Sequence, residues 1–128
     1  MADRAPLRGR ELQKGIVDTA RRFGWRVAHF ASMKGHDGIW RTPAQADGKG
    51  WPDLVLVRER VLFVEVKGDG DRLRHEQETW LSALRMAGQE VRVWTPDDWA
   101  EGRIEDVLRA RQREFNEWVG AHPGVPCT

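Results

Sequence analysis

Hydrophobic and polar positions change period several times along the chain, and each change predicts an element. Between residues 9 and 23, Leu12, Ile16, Ala20 and Phe23 fall on one stripe of a helix that Gly24 closes. Residues 25–31, WRVAHFA, alternate as a strand does. Leu54 to Val57 and Val61 to Val64 are dense runs of strand formers, joined by Arg58-Glu59-Arg60, a connection short enough for an antiparallel hairpin over 53–67. Residues 72–87 return to helical spacing, with Leu73, Trp80, Leu81 and Leu84 inward and Gly88 at the end. EVRVWT, 90–95, predicts another strand, and Ile104, Leu108, Phe115 and Trp118 predict a last helix near 103–119. Residues 32–50 have no clear period, and loops that long inside a compact domain are usually functional or disordered. There is no internal repeat and no low-complexity segment. Helix, three strands, helix, strand, helix is the order of a mixed α/β domain, with a central sheet flanked by helices.

The polar positions that interrupt this pattern carry the chemistry. Asp53, Glu65 and Lys67 sit at the ends of the apolar runs, where a buried charge costs several kcal/mol unless it is paired or bound to metal. Glu65 and Lys67 are two apart and share a strand face. With Arg58–Arg60 as the loop, Val57 faces Val61, Val55 faces Phe63 and Asp53 faces Glu65. Directly opposed residues hold their β-carbons about 5 Å apart. Two carboxylates at that spacing raise one pKa or require a cation. Mg²⁺ suits such a pair, because it binds through one or two carboxylates and keeps waters that a phosphate can share. Gln77 breaks pattern too: it lies four residues from both Leu73 and Leu81, on the apolar stripe, and a buried amide needs hydrogen-bond partners.

Composition narrows the classes. A chain of 128 residues forms one domain with its own core. No apolar run approaches the roughly 18 residues of a membrane span, and the charged start MADRAPLRGRELQK lacks the apolar stretch of a secretory signal. The single cysteine, Cys127, excludes an intramolecular disulfide framework and a cysteine-based zinc site. His29, His36, His75 and His122 show no metal-ligand spacing. A cytoplasmic protein is expected. The net charge of +1 conceals an asymmetry: residues 1–50 hold ten Lys/Arg against five Asp/Glu, and residues 51–128 hold eleven against fifteen. A basic half beside an acidic pocket suits an enzyme of nucleic acids, one part holding phosphates and the other an ion. Arg8, Arg10, Lys14, Lys34, Arg41, Lys49 and Arg72 are the expected DNA contacts. Trp40, Trp51 and Trp99 are candidates for stacking on unpaired bases, with Trp80 and Trp94 assigned to the core.

Pro52-Asp53, a hydrophobic hairpin and then Glu65-Val66-Lys67 resembles the PD-(D/E)XK nuclease superfamily. The longer strings GKGWPDLVLV, LFVEVKG and RLRHEQETWLSALRMAG resemble its VRR-NUC branch, over roughly residues 8–100. The resemblance implies a restriction-endonuclease-like core, followed by a C-terminal helix (101–119) and a tail (120–128). It also implies Mg²⁺, with Mn²⁺ as a substitute, held by Asp53, Glu65 and the Val66 carbonyl. Lys67 and Gln77 complete the catalytic set, and by position Glu11 matches a glutamate that the family places on its first helix. The expected activity is structure-specific cleavage of branched or duplex DNA, like that of Holliday junction resolvases. The alternatives are a nicking or flap endonuclease and a catalytically silent DNA-binding module. A homodimer is expected, because one pocket cuts one strand at a time. The stripe Ile104, Leu108, Phe115 and Trp118 is its candidate interface.

Overall fold

Helix α1 (Gly9–Arg22) buries Leu12, Ile16, Thr19 and Ala20, the stripe expected from the sequence with Thr19 added and with Phe23 half-buried as the C-cap. The computed structural model describes residues 4–30, 33–41 and 45–111. After α1 come β1 (Arg26–His29), β2 (Met33–Lys34), β3 (Trp40–Arg41), β4 (Leu54–Val57) and β5 (Val61–Val66). They are followed by α2 (His75–Met86), β6 (Glu90–Trp94), α3 (Pro96–Ala100) and α4 (Arg103–Arg109). The main sheet has the order β1-β4-β5-β6, antiparallel except for the β5–β6 pair, which is parallel. This is the mixed central sheet flanked by helices of a restriction-endonuclease-like α/β fold.

Period-2 alternation divides the sheet into two faces. Leu54, Leu56, Leu62, Val64 and Val66 point into one core, together with Leu12 and Ile16 of α1 and Ile104 and Leu108 of α4. Each such buried aliphatic side chain contributes about 1.5–3 kcal/mol. Over the opposite face lies α2. There Trp51 packs edge-on against Phe63 (5.7 Å between ring centroids) and Trp80 (4.9 Å). Trp51 is therefore a packing residue and not a free platform for bases. Trp94 is buried in the first core, and Trp80 also donates its indole N–H to the Asp47 carbonyl at 2.9 Å.

Several boundaries differ from expectation. The strand expected over 25–31 is confined to Arg26–His29, and the helix expected from 72 begins at His75. The aperiodic stretch 32–50 contains the small β2–β3 hairpin. Its strands are two residues long, too short to show alternation, and Asp37 organises its turn by accepting from Ile39 N–H and from Arg41. Helix α3 went unread although Thr95-Pro96-Asp97-Asp98 is a helix-start signature: Asp98 accepts from the Thr95 N–H at 2.9 Å and Pro96 is the first helical residue. The helix expected over 103–119 is represented among the described residues by α4, which ends at Arg109 with Ala110 extended. Phe115 and Trp118 lie outside the described residues. Ile104 and Leu108, expected at a dimer interface, are fully buried in the chain's own core, so that half of the stripe is not available to a second copy.

The connection Arg58-Glu59-Arg60 does more than turn the chain. Arg58 donates to the carbonyls of Phe23 (2.9 Å), Leu108 (2.9 Å) and Ala110 (2.6 Å), and Arg60 to those of Val107 and Ala110. Both guanidiniums lie over the Trp25 ring, 4.4 and 4.9 Å from its centroid, and Trp25 donates to the Leu108 carbonyl. Cations here satisfy the orphan carbonyls at the C-terminal end of α4 and complement its dipole. Glu59 sits between them, its carboxyl pulled down to about 2 first by the Arg58 hydrogen bond. Arg58→Ala is expected to lower stability by roughly 2–3 kcal/mol, because several carbonyls lose a charged donor at once. Urea unfolding followed by tryptophan fluorescence measures it.

Candidate active site

The hairpin register is the one counted from the sequence: Val57 pairs with Val61, Val55 with Phe63 and Leu54 with Val64. One step further along the ladder Asp53 comes opposite Glu65, and an Asp53 Oδ2 bond to the Val66 N–H (2.8 Å) fixes its carboxylate there. Two glycines let the surrounding chain close in. At Gly68 a β-carbon would collide with the backbone nitrogen of Gly9, so the end of β5 is pressed against the start of α1. At Gly50, with φ +88°, a β-carbon would strike the Glu76 backbone, so the loop leading to Asp53 is pressed against α2.

Gln77 joins the charged residues. Its Oε1 accepts from Lys67 Nζ at 2.8 Å and from the Arg74 N–H at 2.9 Å, while its Nε2 donates to Glu65 Oε1 at 3.1 Å. Two donors converge on Oε1, so the amide can present only its N–H₂ to Glu65. The same bond to Arg74 N–H satisfies a free donor at the start of α2, which locks the helix to the site. Lys67 Nζ lies 3.8 Å from Glu65 Oε1. The expectation that Gln77 faces the pocket of Glu65 and Lys67 agrees with this geometry.

Glu65 is 1% exposed, and its second oxygen, Oε2, is buried without any hydrogen-bond partner. Burial first, and the Asp53 carboxylate second, push its carboxyl up to about 9, with Lys67 only partly opposing the rise. Two anions cannot hydrogen-bond each other, so a proton or a cation has to lie between them. An orphaned buried carboxylate oxygen, a second carboxylate and a nearby strand carbonyl form the hard oxygen donor set that Mg²⁺ or Mn²⁺ takes. The residues fit such an ion. Among the described residues no three or more His, Cys, Asp or Glu gather as a metal site, at this pair or elsewhere, so Asp53 and Glu65 are the two acidic side chains on offer here.

Asp53 and Val66 also line an open cleft of about 520 Å³. Arg10, His29, Phe30 and Trp40 line the same cleft. Helix α1 turns Gln13 into this cleft, whereas Glu11 is exposed and does not line it. Glu11 and Gln13 flank buried Leu12 on opposite sides of the helix, so only one of them can turn toward this cleft. Of the expected DNA contacts, Arg10 reaches the cleft, and Arg8 and Arg72 are exposed on the segments beside it in sequence. Lys34 and Arg41 are carried on the β2–β3 hairpin, with Arg41 paired to Asp37 at 2.8 Å. Lys14 and Lys49 form exposed ion pairs with Asp18 (3.1 Å) and Glu76 (3.4 Å), and such pairs contribute little to stability.

With fold and geometry in place, the class is a nuclease of the restriction-endonuclease-like type. The VRR-NUC domain matches residues 10–97, and the chain belongs to that family. A segment of 47 residues is 47% identical to human Fanconi-associated nuclease 1 (Homo sapiens) and covers 34% of this chain. The match spans about 5% of that relative's length. No solved structure matches the chain. No helix among the described residues is long and apolar enough to cross a membrane.

Proposed function

We propose that this chain is a metal-dependent, structure-specific DNA endonuclease that hydrolyses phosphodiester bonds, of the kind that acts on Holliday junctions or related branches. The observation that carries the reading is Glu65: a buried carboxylate with an unpartnered oxygen, opposed by Asp53 and neighboured by Lys67. A carbon-for-oxygen replacement would relieve the fold of that burden, so its presence argues for a task. Asp53, Glu65 and the Val66 carbonyl would hold Mg²⁺ or Mn²⁺, which when bound polarises the phosphoryl oxygen and lowers the pKa of a bound water.

The chain's own residues account for the rest. Gln77 fixes the Lys67 ammonium beside the carboxylates, where it orients the attacking water and stabilises negative charge on the phosphorus centre. Arg8, Arg10 and the hairpin cations Lys34 and Arg41 supply phosphate contacts. Glu11, exposed outside the cleft, has no part in this proposal. Symmetric resolution of a four-way junction needs two opposed sites and therefore a two-fold dimer. Burial of Ile104 and Leu108 removes them from any such interface and supports, as a second reading, single-strand nicking or flap cleavage by one copy.

The test is a panel of four-way junction, flap, blunt duplex and single strand, incubated with Mg²⁺, with Mn²⁺ and with EDTA. Cleavage of a branched substrate at least about tenfold faster than of blunt duplex, abolished by EDTA, is expected. Tight binding to every DNA without a cut in either ion would leave a DNA-binding module as the function.

A further inference from the structure

We infer that the aromatic pair lining the cleft, Phe30 and Trp40, is a stacking site for one unpaired nucleobase beside the phosphate to be cut. The inference rests on the nuclease reading and specifies its substrate: DNA that offers an unpaired base at the branch. Among the described residues most other large aromatics are buried or packed, and Trp99, 38% exposed, lies away from this cleft's lining. Trp25 and Trp94 are 3% and 4% exposed and Trp51 and Trp80 pack against each other, yet Trp40 is 56% exposed and Phe30 44%. Leaving two such side chains in water forgoes stabilisation that burial would give. A scattered exposed aromatic needs no explanation, but these two line one cleft, and Asp53 lines it with them.

The geometry ties the aromatic wall to the site. Phe30 N–H donates to the Asp53 carbonyl at 3.0 Å, which continues the β1–β4 ladder and sets the ring next to the carboxylate. The Arg10 guanidinium lies 5.7 Å from the Trp40 ring centroid, a cation–π contact that steadies the ring and brings a positive charge to the cleft. Aromatic faces beside a cation, opening on an acidic metal-binding pair, match a nucleotide: base on the rings, phosphate toward the ion and Arg10. In a duplex each base is covered on both faces by its neighbours, so only an unpaired or extruded base has a face to offer. About 520 Å³ is within the range of sites that enclose a small ligand.

The probe is a duplex carrying a single unpaired 2-aminopurine at a branch, compared with the fully paired duplex, both titrated in EDTA so that no cutting occurs. Wild type is expected to bind the unpaired probe preferentially and to quench its fluorescence. Trp40→Ala should lower that preference roughly 5- to 100-fold, the factor that base–aromatic stacking confers, and lose most of the quench. Trp40→Phe should keep much of both, and Phe30→Ala should fall between them. Equal preference and equal quenching in wild type and Trp40→Ala would overturn the stacking site. Because the readout is binding without metal, it stands apart from cleavage. A chain that discriminates the probe but never cuts loses the nuclease reading alone, and one that cuts while Trp40→Ala binds as wild type loses the stacking site alone.

Discussion

Asp53→Asn is expected to reduce strand cleavage to background, a loss of more than about a thousandfold, while the chain stays folded and retains most of its affinity for DNA. The amide keeps the size of the carboxylate, but half of it is now a donor facing the Val66 N–H or the Glu65 carboxylate. It also removes one of the two charges that make the site attractive to a divalent ion. Loss of a single group that stabilises charge in a transition state costs about 10²–10³ in kcat. Loss of the ion removes charge stabilisation and water activation together, so the Asp53 effect should exceed that of Lys67→Ala. Cleavage of a branched substrate measured beside Mn²⁺ calorimetry checks the argument: a variant that binds Mn²⁺ as wild type does would remove Asp53 from the ligand set. Quantitative DNA binding in EDTA serves as the control for fold.

The site was legible where the sequence imposes a count. Three residues between Val57 and Val61 leave one register, and that register puts Asp53 across from Glu65; a shift by one would turn Asp53 to the other face. Gln77 was legible because it stands four before Leu81, the other buried position of α2, although Leu73, expected on the same stripe, precedes the helix. What the sequence did not disclose depends on contacts between distant segments. Arg58 and Arg60 read as the polar residues of any loop, and only the end of α4 arriving beside Trp25 makes them caps. Gln13 carried no signal beyond its place next to Leu12. The β2–β3 hairpin is held by side-chain bonds from Asp37, and two-residue strands have no period to detect. The helix expected over 103–119 is broken at Ala110, where the backbone turns extended; the apolar stripe gives no sign of that break, because Ile104 and Leu108 sit before it.

Glu65→Gln is expected to separate stability from function in opposite directions. In the metal-free chain Glu65 has a folded-state pKa near 9, raised by burial and by Asp53 from an ordinary value near 4.5. Between these values the folded state holds a proton that the unfolded state does not, so stability falls as pH rises through the window. Below about 4.5 both states are protonated and the penalty is absent; above about 9 the buried carboxylate is charged and the penalty is complete. Gln mimics the protonated acid and never ionises. Its Oε1 can still accept from Gln77 Nε2, while its N–H₂ takes the place of the orphaned Oε2 and can donate to Asp53. Chelated protein should therefore become more stable by roughly 2–4 kcal/mol at pH 9, and the difference should shrink toward zero near pH 4, because an unpaired buried charge costs several kcal/mol. Added Mn²⁺ should reverse the order: it stabilises wild type by occupying the carboxylate pair and leaves Glu65→Gln nearly unmoved. Cleavage by the variant should be at background. Thermal unfolding at pH 4, 7 and 9, with EDTA and with Mn²⁺, measures all of this. A variant less stable than wild type at pH 9 in EDTA would mean that Glu65 is already neutralised within the chain, and the buried carboxylate pair would then need no ion.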